Sequence, residues 1–277
     1  MSLLRRALRV AQQAVPRAGR GGTVLAYHLV GAGTASPVDL PALTFRRQMK
    51  ELAGGAEVVP LREMVDRLRA GRVGPGPLVT LTFDDAYRNF AEVAWPVLRE
   101  LGLPASLFVP VGFVEGVSPP PLAGAELPPI SWDGLAELAD GGVEIGSHTW
   151  SHAELPGLSD AEVEGELRRS RDRLEERLGR PVESFCYPRA LWDRRTEMRV
   201  GKVYRRAVVG GGRRIGPRGV RPLRISRIPV RRDGPASIGA VVSSPVWLEE
   251  WAADLARRRL RGLSRRRDGC RRVGTSR

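Results

Sequence analysis

Cysteine and long apolar runs are both scarce in this sequence of 277 residues. The two cysteines, Cys186 and Cys270, are too few and too far apart for a disulfide framework or a paired-cysteine zinc site. No run of 18 apolar residues occurs, so we expect no transmembrane helix. Arginines at positions 5, 6 and 9 interrupt the first 22 residues, which argues against a cleaved secretory signal.

These absences lead us to expect a cytoplasmic protein. The basic residues 1–22 could instead form a short amphipathic helix, which gives peripheral contact with an anionic membrane, at its inner face, as an alternative. No feature of the sequence indicates an oligomeric state.

Acidic residues become scarce in the last third of the chain. Residues 1–185 hold 20 Lys and Arg against 24 Asp and Glu, whereas residues 186–277 hold 25 against 7. Such a basic region is typical of contact with lipid headgroups, a phosphorylated glycan carrier or nucleic acid, or of a solvated tail. We expect residues 264–277, which are rich in arginine, to be a disordered tail. No recognised nucleic-acid motif accompanies the charge, so specific nucleic-acid binding is not expected.

Short apolar runs alternate with helical patterns along the rest of the chain. This alternation predicts a parallel sheet, open or closed as a barrel, in one domain over residues 23–263. The predicted strands cover residues 23–27, 57–59, 78–83, 105–109, 143–146, 184–187, 207–209 and 225–230, and the predicted helices cover residues 45–53, 61–68, 89–101, 132–138, 160–178 and 245–263. Thr44 is the expected cap of the first helix, and Ser159 with Glu162 has the signature of a capping box.

Histidine is nearly as scarce as cysteine, with three residues that each follow a predicted strand: His28, His148 and His152. The four-residue offset of the last two predicts imidazoles on one side of a helical turn, where they can share a metal ion. Ser147 and Thr149 are candidates to orient the two rings through hydrogen bonds. Taken alone, the pair also fits two unrelated surface histidines.

Two adjacent carboxylates, Asp84 and Asp85, end the apolar strand predicted over residues 78–83. Buried charges are costly unless a partner neutralises them, so the pair needs a salt bridge, a helix cap or a metal ion. Catalytic residues of barrels gather at the carboxyl ends of parallel strands, where the two histidines are also expected. Together the four residues predict a catalytic metal site with about three protein ligands.

The two motifs resemble those of the polysaccharide deacetylases, the NodB-homology domain of carbohydrate esterase family 4. The family's T-F-D-D-G motif is matched by residues 82–86, TFDDA, and its H-[S/T]-x-x-H motif by residues 148–152, HTWSH. The flanking segments YRNF, GLPASLFV and EIGSH are also similar to the family. The resemblance covers about residues 23–235.

This resemblance implies an α/β fold, a distorted TIM-like (β/α) barrel of about seven parallel strands. It also implies one divalent metal ion, Zn2+ above all, with Co2+, Ni2+ or Mn2+ as alternatives. Matched by position, Asp85, His148 and His152 are the implied metal ligands, and Asp84 is the implied general base. The division is chemically reasonable, because one carboxylate must stay free of the metal to accept a proton.

The third motif departs from the family pattern. Residues 185–190 read FCYPRA, where many members have R-x-P-Y-G or Y-P-Y-G. Arg189 replaces a tyrosine; its backbone N–H is the expected donor to the oxyanion, and its side chain could hold Asp84 or an acidic group of the substrate. Ala86 and Ala190 stand where members have glycine, which implies strain if either position needs a positive φ.

The general acid is expected to be His28. No histidine follows His152, so the L-x-H motif that supplies the acid in many members is absent. Some members carry a Tyr-His motif on the first strand, and Tyr27 with His28 resembles that branch. The alternative for His28 is a packed core histidine.

Four residues are expected to contact the substrate: Tyr27, Trp150, Tyr187 and Arg189. Trp150 could stack on a sugar ring or pack against the protein. The segment at residues 210–214, GGGRR, could cradle a phosphate through backbone N–H groups or form an ordinary loop.

The expected activity is removal of N-acetyl groups from an amino-sugar glycan, with a free, lipid-linked or polymeric sugar as substrate. One alternative keeps the metal and changes the bond, as an O-acetyl esterase or another non-peptide C–N hydrolase. A second alternative is a glycan-binding protein that has lost catalysis and is held at an anionic surface.

Overall fold

Seven parallel strands close into a barrel in the computed structural model of this protein, as the sequence predicts. The structure describes residues 3–12, 20–122, 124, 126–216, 219–235 and 237–256. The tail predicted over residues 264–277 lies outside the described residues.

The barrel closes because its first strand pairs with another strand on each side. The strands are β1 (Gly22–Tyr27), β2 (Leu29–Val30), β3 (Asp39–Leu40), β4 (Glu57–Val58), β5 (Leu78–Asp84), β6 (Ala105–Val109), β7 (Glu144–Ser147), β8 (Ser184–Cys186), β9 (Arg206–Gly210) and β10 (Ile225–Pro229). β5 to β10 pair in sequence order, and β1 pairs with β10 on one side and with β5 on the other, which closes the sheet. β4 joins the start of β5, and β2 pairs with β3 outside the barrel.

Helices connect successive strands. They are α1 (Leu3–Gln12), α2 (Ala42–Gly55), α3 (Leu61–Arg69), α4 (Trp95–Glu100), α5 (Val111–Val114), α6 (Trp132–Asp140), α7 (Asp160–Leu178), α8 (Arg194–Val203), α9 (Ile238–Val242) and α10 (residues 248–256). Among the described residues, no helix combines the length and the apolar character needed to cross a membrane.

The predicted helix ends are partly right. Ser159 and Glu162 form the predicted capping box of α7, and Gly179 ends that helix with a φ of 64°. The prediction that Thr44 caps α2 is wrong, because the helix begins two residues earlier, at Ala42, directly after Pro41. Proline suits a helix start, since it has no N–H to leave unpaired there.

Other helices also differ from the prediction. The helix expected over residues 89–101 starts as a π-helical turn at Phe90–Ala94 before α4. The sequence analysis missed α8, although Asp193 and Thr196 form a capping box at its start. The helix expected over residues 245–263 is observed over residues 248–256, and residues 257–263 lie outside the described part of the chain.

The packing around β5 fixes the position of its last residue. Every residue of β1 and β5 is buried, as parallel strands covered on both faces require. Phe83 packs against the rings of Tyr27, Phe45 and Phe90, with ring centroids 5.2, 6.0 and 4.7 Å away. Because this aromatic cluster holds Phe83, the next residue, Asp84, enters the end of the barrel at a fixed point.

Candidate metal centre

Asp84 is held by an arginine from the closing strand of the barrel. Arg227, in the middle of β10, donates from Nη1 to Oδ1 and from Nη2 to Oδ2, both at 2.7 Å. The two side chains are 6% and 3% exposed, so this is a buried, two-pronged ion pair. Burial by itself raises the pKa of Asp84, but the charge and hydrogen bonds of Arg227 outweigh it and hold the pKa below its usual range. Asp84 is therefore ionised.

Asp85 has the opposite surroundings. Both of its carboxylate oxygens are buried, and neither has a hydrogen-bond partner among the described residues. Burial, followed by the neighbouring charge of Asp84, raises the pKa of Asp85 well above its usual range. A buried carboxylate without a partner is costly in a folded protein unless a cation completes it.

Two imidazole nitrogens face this carboxylate. Nε2 of His148 and Nε2 of His152 each lie 3.6 Å from Oδ1 of Asp85. Burial lowers the pKa of both histidines, to about 2 for His152, so both rings are neutral and able to act as ligands. One carboxylate oxygen and two neutral imidazole nitrogens therefore lie within 4.8 Å of one another, and this donor set fits a divalent metal ion.

A hydrogen bond sets the tautomer of His148. Its Nδ1–H donates to the backbone carbonyl of Cys186 at 2.8 Å, which leaves the Nε2 lone pair free and aimed at Asp85. Ser147, the predicted partner of the ring, instead shares a hydrogen bond with Ser170. The hydroxyl of Thr149 is buried without a partner among the described residues. The prediction that these two residues orient the imidazoles is therefore wrong.

The two histidines do not share a helical turn, which corrects the geometry expected from their spacing. Residues 148–154 are irregular, and Thr149 and His152 adopt positive φ values of 68° and 58°. Glu166 of α7 holds this loop by accepting hydrogen bonds from the N–H groups of Trp150 and Ser151, at 2.8 and 2.9 Å, and from the Ser151 hydroxyl at 2.7 Å. The loop, and not helical periodicity, brings His152 back to His148.

His28 lies on the other side of Asp84. Its Nε2 is 3.6 Å from Oδ2 of Asp84, and its side chain is 21% exposed. Burial lowers the pKa of His28 to about 4, against the opposing effect of Asp84, so its resting ring is neutral. His28 belongs to the same cluster as the two aspartates and is not a distant core residue.

These residues share a cavity of about 330 Å3. That volume lies in the range of small-molecule sites, about 300–1,000 Å3. The lining includes both aspartates, all three histidines, Tyr187, Arg189 and Arg227. The cavity thus combines a candidate metal site, the carboxylate of Asp84, which is not one of the candidate ligands, and room for part of a ligand.

The structure places the predicted substrate contacts unequally. Tyr187 and Arg189 line the cavity. Tyr27 is 1% exposed and its hydroxyl bonds to Gln48, so it belongs to the core behind the site. Trp150 is absent from the described lining, and its ring lies under the guanidinium of Arg169, 3.5 Å from the ring centroid. Of the two interpretations offered for Trp150, packing matches this position.

The side chain of Arg189 does not hold Asp84. It is 62% exposed, and its Nε lies 3.4 Å from Glu154. Arg227 takes the role instead, because β10 is adjacent to β1 in the closed barrel and its middle residue reaches the carboxyl end of β5.

Positive φ values gather around the cavity. All six described non-glycine residues with positive φ follow strands β5, β7 and β8: Asp85, Ala86, Thr149, His152, Arg189 and Ala190. Ala86 and Ala190 have φ values of 53° and 59°, so both replacements of glycine occur where the backbone favours glycine. Strain of this kind is typical of functional sites held by their surroundings.

Three residues of the site were not predicted from the sequence. Arg227 is a charged residue in the middle of an apolar strand, and that was the signal available for it. Cys186 lies beside it, with Sγ 2.9 Å from Nη2 of Arg227 and 3.6 Å from Asp84. Glu166 left no signal, because its partners are backbone N–H groups of a distant loop.

Known proteins resemble this chain in sequence. A family model described as polysaccharide deacetylase matches residues 71–207. The Bacillus subtilis (strain 168) protein named "Putative polysaccharide deacetylase YxkH" is 26% identical over 174 residues, which are 62% of this chain and 58% of that protein. The aligned part of the chain thus spans less than two thirds of the relative's length.

Solved structures share the fold. The Streptococcus pyogenes deacetylase PplD in complex with acetate has a TM-score of 0.71 at 19% identity, covering 82% of this chain and 99% of that chain. IcaB from Ammonifex degensii has a TM-score of 0.69 at 25% identity, covering 82% and 98%. The barrel therefore has the fold of these deacetylases, and residues 71–207 of this chain match the model of the polysaccharide deacetylase family.

Proposed function

We propose that this protein is a metal-dependent hydrolase that removes N-acetyl groups from an amino-sugar glycan. The observation that carries the proposal is the difference in surroundings between two adjacent aspartates. Asp85 has no hydrogen-bond partner in the described part of the chain and faces two neutral imidazoles, whereas Asp84 is ionised and held by Arg227. The match of residues 71–207 to the polysaccharide deacetylase model supports a hydrolase that acts on acetyl groups of a glycan.

Asp85, His148 and His152 are the residues that would hold the metal ion. A divalent ion there, which we propose to be Zn2+, would lower the pKa of a water molecule and polarise the acetyl carbonyl. Three protein ligands leave a coordination position open, as catalytic zinc sites do.

Asp84 is the proposed general base. It takes a proton from the attacking water while the water oxygen bonds to the acetyl carbon. Its two hydrogen bonds with Arg227 keep the carboxylate ionised and fix its orientation. The backbone N–H of Arg189 is the proposed donor to the oxyanion, since Arg189 lines the same cavity.

His28 is the proposed general acid. When the C–N bond breaks, acetate leaves and the amine nitrogen takes a proton from His28. Because the pKa of His28 is lowered to about 4, its ring is neutral at rest and must gain that proton during the cycle. Asp84 is a suitable source, since its Oδ2 lies 3.6 Å from Nε2 of His28 and its low pKa favours release of a proton.

The test is acetate release from N-acetylglucosamine oligomers by the zinc-loaded protein. We expect release by the wild type, and a loss of about 100-fold or more in kcat for both Asp84→Asn and His28→Gln, since general acid and base catalysis contribute about 10²–10⁴. O-acetylated sugars are offered in parallel. Acetate from the O-acetyl sugars alone would replace this proposal with the esterase alternative, and tight oligomer binding without acetate would favour a binding protein.

A further inference from the structure

A second and larger cavity lies beside the catalytic one. Its volume is about 480 Å3, and Gly210 at the end of β9 lines both cavities. Four arginines line the second cavity: Arg213, Arg214, Arg221 and Arg224. Neither the proposed reaction nor the family motifs use any of them.

Arginines outnumber carboxylates among the described residues that line this cavity. Arg224 donates to Glu197 at 2.7 Å, but none of the other three forms an ion pair with a described carboxylate. Asp254 is the one acidic residue in the described lining, and it is 5% exposed. The cavity therefore has an excess of cationic side chains over carboxylates, which attracts anions.

The arginine side chains of this cavity differ in how firmly the protein holds them. Arg214 donates to the carbonyls of Val242 and Gly21, while its Nε is buried and has no partner among the described residues. The side chains of Arg213 and Arg221 are exposed, so they can turn toward a ligand. One fixed and two adaptable guanidinium groups suit phosphate or carboxylate, whose oxygens match the planar fork of arginine.

The glycine-rich segment at the cavity edge does not bind an anion through its backbone. The N–H groups of Gly211 and Gly212 both donate to the carbonyl of Arg227, and the N–H of Arg213 donates to Ser226. Gly212 is needed for close packing, because a Cβ there would lie 2.5 Å from the backbone nitrogen of Trp251. Any anion in this cavity is therefore bound by arginine side chains.

We propose that the second cavity is a subsite for an anionic group, phosphate or carboxylate, carried by a glycan whose acetylated sugar occupies the catalytic cavity. The inference rests on the proposed function and names its substrate class: an anionic glycan. Gly210 lies at the boundary between the two cavities, so the proposed oligosaccharide extends past this residue from the catalytic cavity into the second. The basic C-terminal third thereby contributes to substrate choice.

The kinetic test compares a neutral N-acetylglucosamine oligomer with the same oligomer oxidised to carboxylates at C6. For the wild type we expect kcat/KM to be about tenfold higher on the charged oligomer, equivalent to about 1.4 kcal/mol. The variant Arg213→Gln/Arg221→Gln should reduce this ratio to about one, mainly through KM. The matched control Arg62→Gln/Arg69→Gln removes two exposed charges from α3 and should keep the wild-type ratio.

The binding test does not depend on turnover. Titration calorimetry with inorganic pyrophosphate and with both oligomers is run on the wild type, on the Arg213→Gln/Arg221→Gln variant and on Asp85→Asn. We expect the charged oligomer to bind about tenfold tighter than the neutral one in the wild type and in Asp85→Asn, and this preference to disappear in the arginine variant and in high salt.

The outcomes separate the two proposals. In one outcome the wild type prefers the charged oligomer through the arginines and yet releases no acetate. That result would overturn the proposed function and support the subsite. Equal acetate release from both oligomers, unchanged in the arginine variant, would overturn the subsite and keep the deacetylase. Pyrophosphate binding with no preference between the oligomers would also overturn it, because the cavity would then bind a free anion and not a glycan.

Discussion

At the scale of single residues, the site depends on the different hydrogen-bond partners of two adjacent carboxylates. Asp84 receives two hydrogen bonds from Arg227, whereas both oxygens of Asp85 have none. Burial raises the pKa of both, and only Asp84 has a cation that reverses the effect. A single arginine thus gives chemically identical neighbours different charge states, which is why we propose Asp84 as the proton acceptor and Asp85 as a metal ligand.

Replacing Arg227 tests this division. In Arg227→Met the effect of burial on Asp84 is no longer opposed, so the pKa of Asp84 rises and the acidic limb of kcat/KM moves to higher pH. The unpaired buried charge should also cost about 3–5 kcal/mol of unfolding free energy. Both quantities are measured, by a pH–rate profile and by urea denaturation.

The control for this prediction is Arg206→Met. Arg206 is a 9% exposed arginine on β9 that pairs with Glu183 outside the cavity, so its loss should lower stability without moving the pH profile. An acidic limb that stays in place in Arg227→Met would contradict the assignment of Asp84 as the base held by Arg227.

The backbone at Ala190 gives a prediction about stability. With a φ of 59°, an alanine there is strained by about 1–2 kcal/mol, which exceeds the entropic cost of glycine of about 0.4–1 kcal/mol. We therefore expect Ala190→Gly to raise the free energy of unfolding by up to about 1 kcal/mol. Ala136→Gly, inside α6, should lower it by about 1 kcal/mol. Urea denaturation of both variants measures the two signs, and destabilisation by both would show that Ala190 is not strained.

At the scale of elements, the site is assembled from strand ends and fixed by a helix that does not reach it. β5 supplies the aspartates, β7 leads to both histidines, and β10 supplies Arg227. α7 contributes Glu166, whose carboxylate accepts three hydrogen bonds from the loop between His148 and His152. The helix therefore supports the candidate metal site although it supplies none of the candidate ligands.

This arrangement predicts the effect of Glu166→Gln. The amide replaces one acceptor oxygen with a donor, so part of the loop's anchoring is lost and His152 is held less firmly. Metal affinity should fall by about 10- to 100-fold, as for other groups that support ligands. Glu164→Gln, which removes an exposed pair with Arg168 on the same helix, should leave the affinity within a factor of two or so. Competition with a zinc chelator measures both, and equal affinity in the two variants would contradict the role of Glu166.

At the scale of the whole molecule, closure of the barrel creates the site. β1 pairs with both β5 and β10, which brings residues 84 and 227 into contact across 143 positions of sequence. The resulting end of the barrel buries charged groups that are not all neutralised. Such a site is stabilised when a cation completes it, since ligands that bind the folded state alone add to its stability.

Zinc should therefore raise the melting temperature of the purified protein. At a free concentration of about 100 times Kd the gain is about 2.7 kcal/mol, or a shift of roughly 5–10 °C for a chain of this size. Asp85→Asn should abolish the shift while keeping the fold, because asparagine also tolerates the positive φ of 77° at this position. Differential scanning fluorimetry with and without zinc measures the effect; an equal shift in the variant would exclude Asp85 as a ligand.

The sequence by itself determined the class of fold and the core of the site. Alternating strand and helix patterns predicted a parallel sheet, because each element's periodicity is local, and the family resemblance implied that the sheet closes into a barrel. The TFDDA and HTWSH motifs, through their resemblance to the polysaccharide deacetylases, pointed to Asp84, Asp85, His148 and His152, and these four residues line one cavity.

Only the tertiary structure decided what controls those residues. Arg227, Glu166 and the shared edge of two cavities at Gly210 depend on contacts between segments that are far apart in the chain. The expected helical turn between the histidines failed for the same reason: Glu166 holds that segment in a loop against its local periodicity. Local patterns specify elements and ligand types, whereas charge pairing in a closed barrel depends on which strand ends meet.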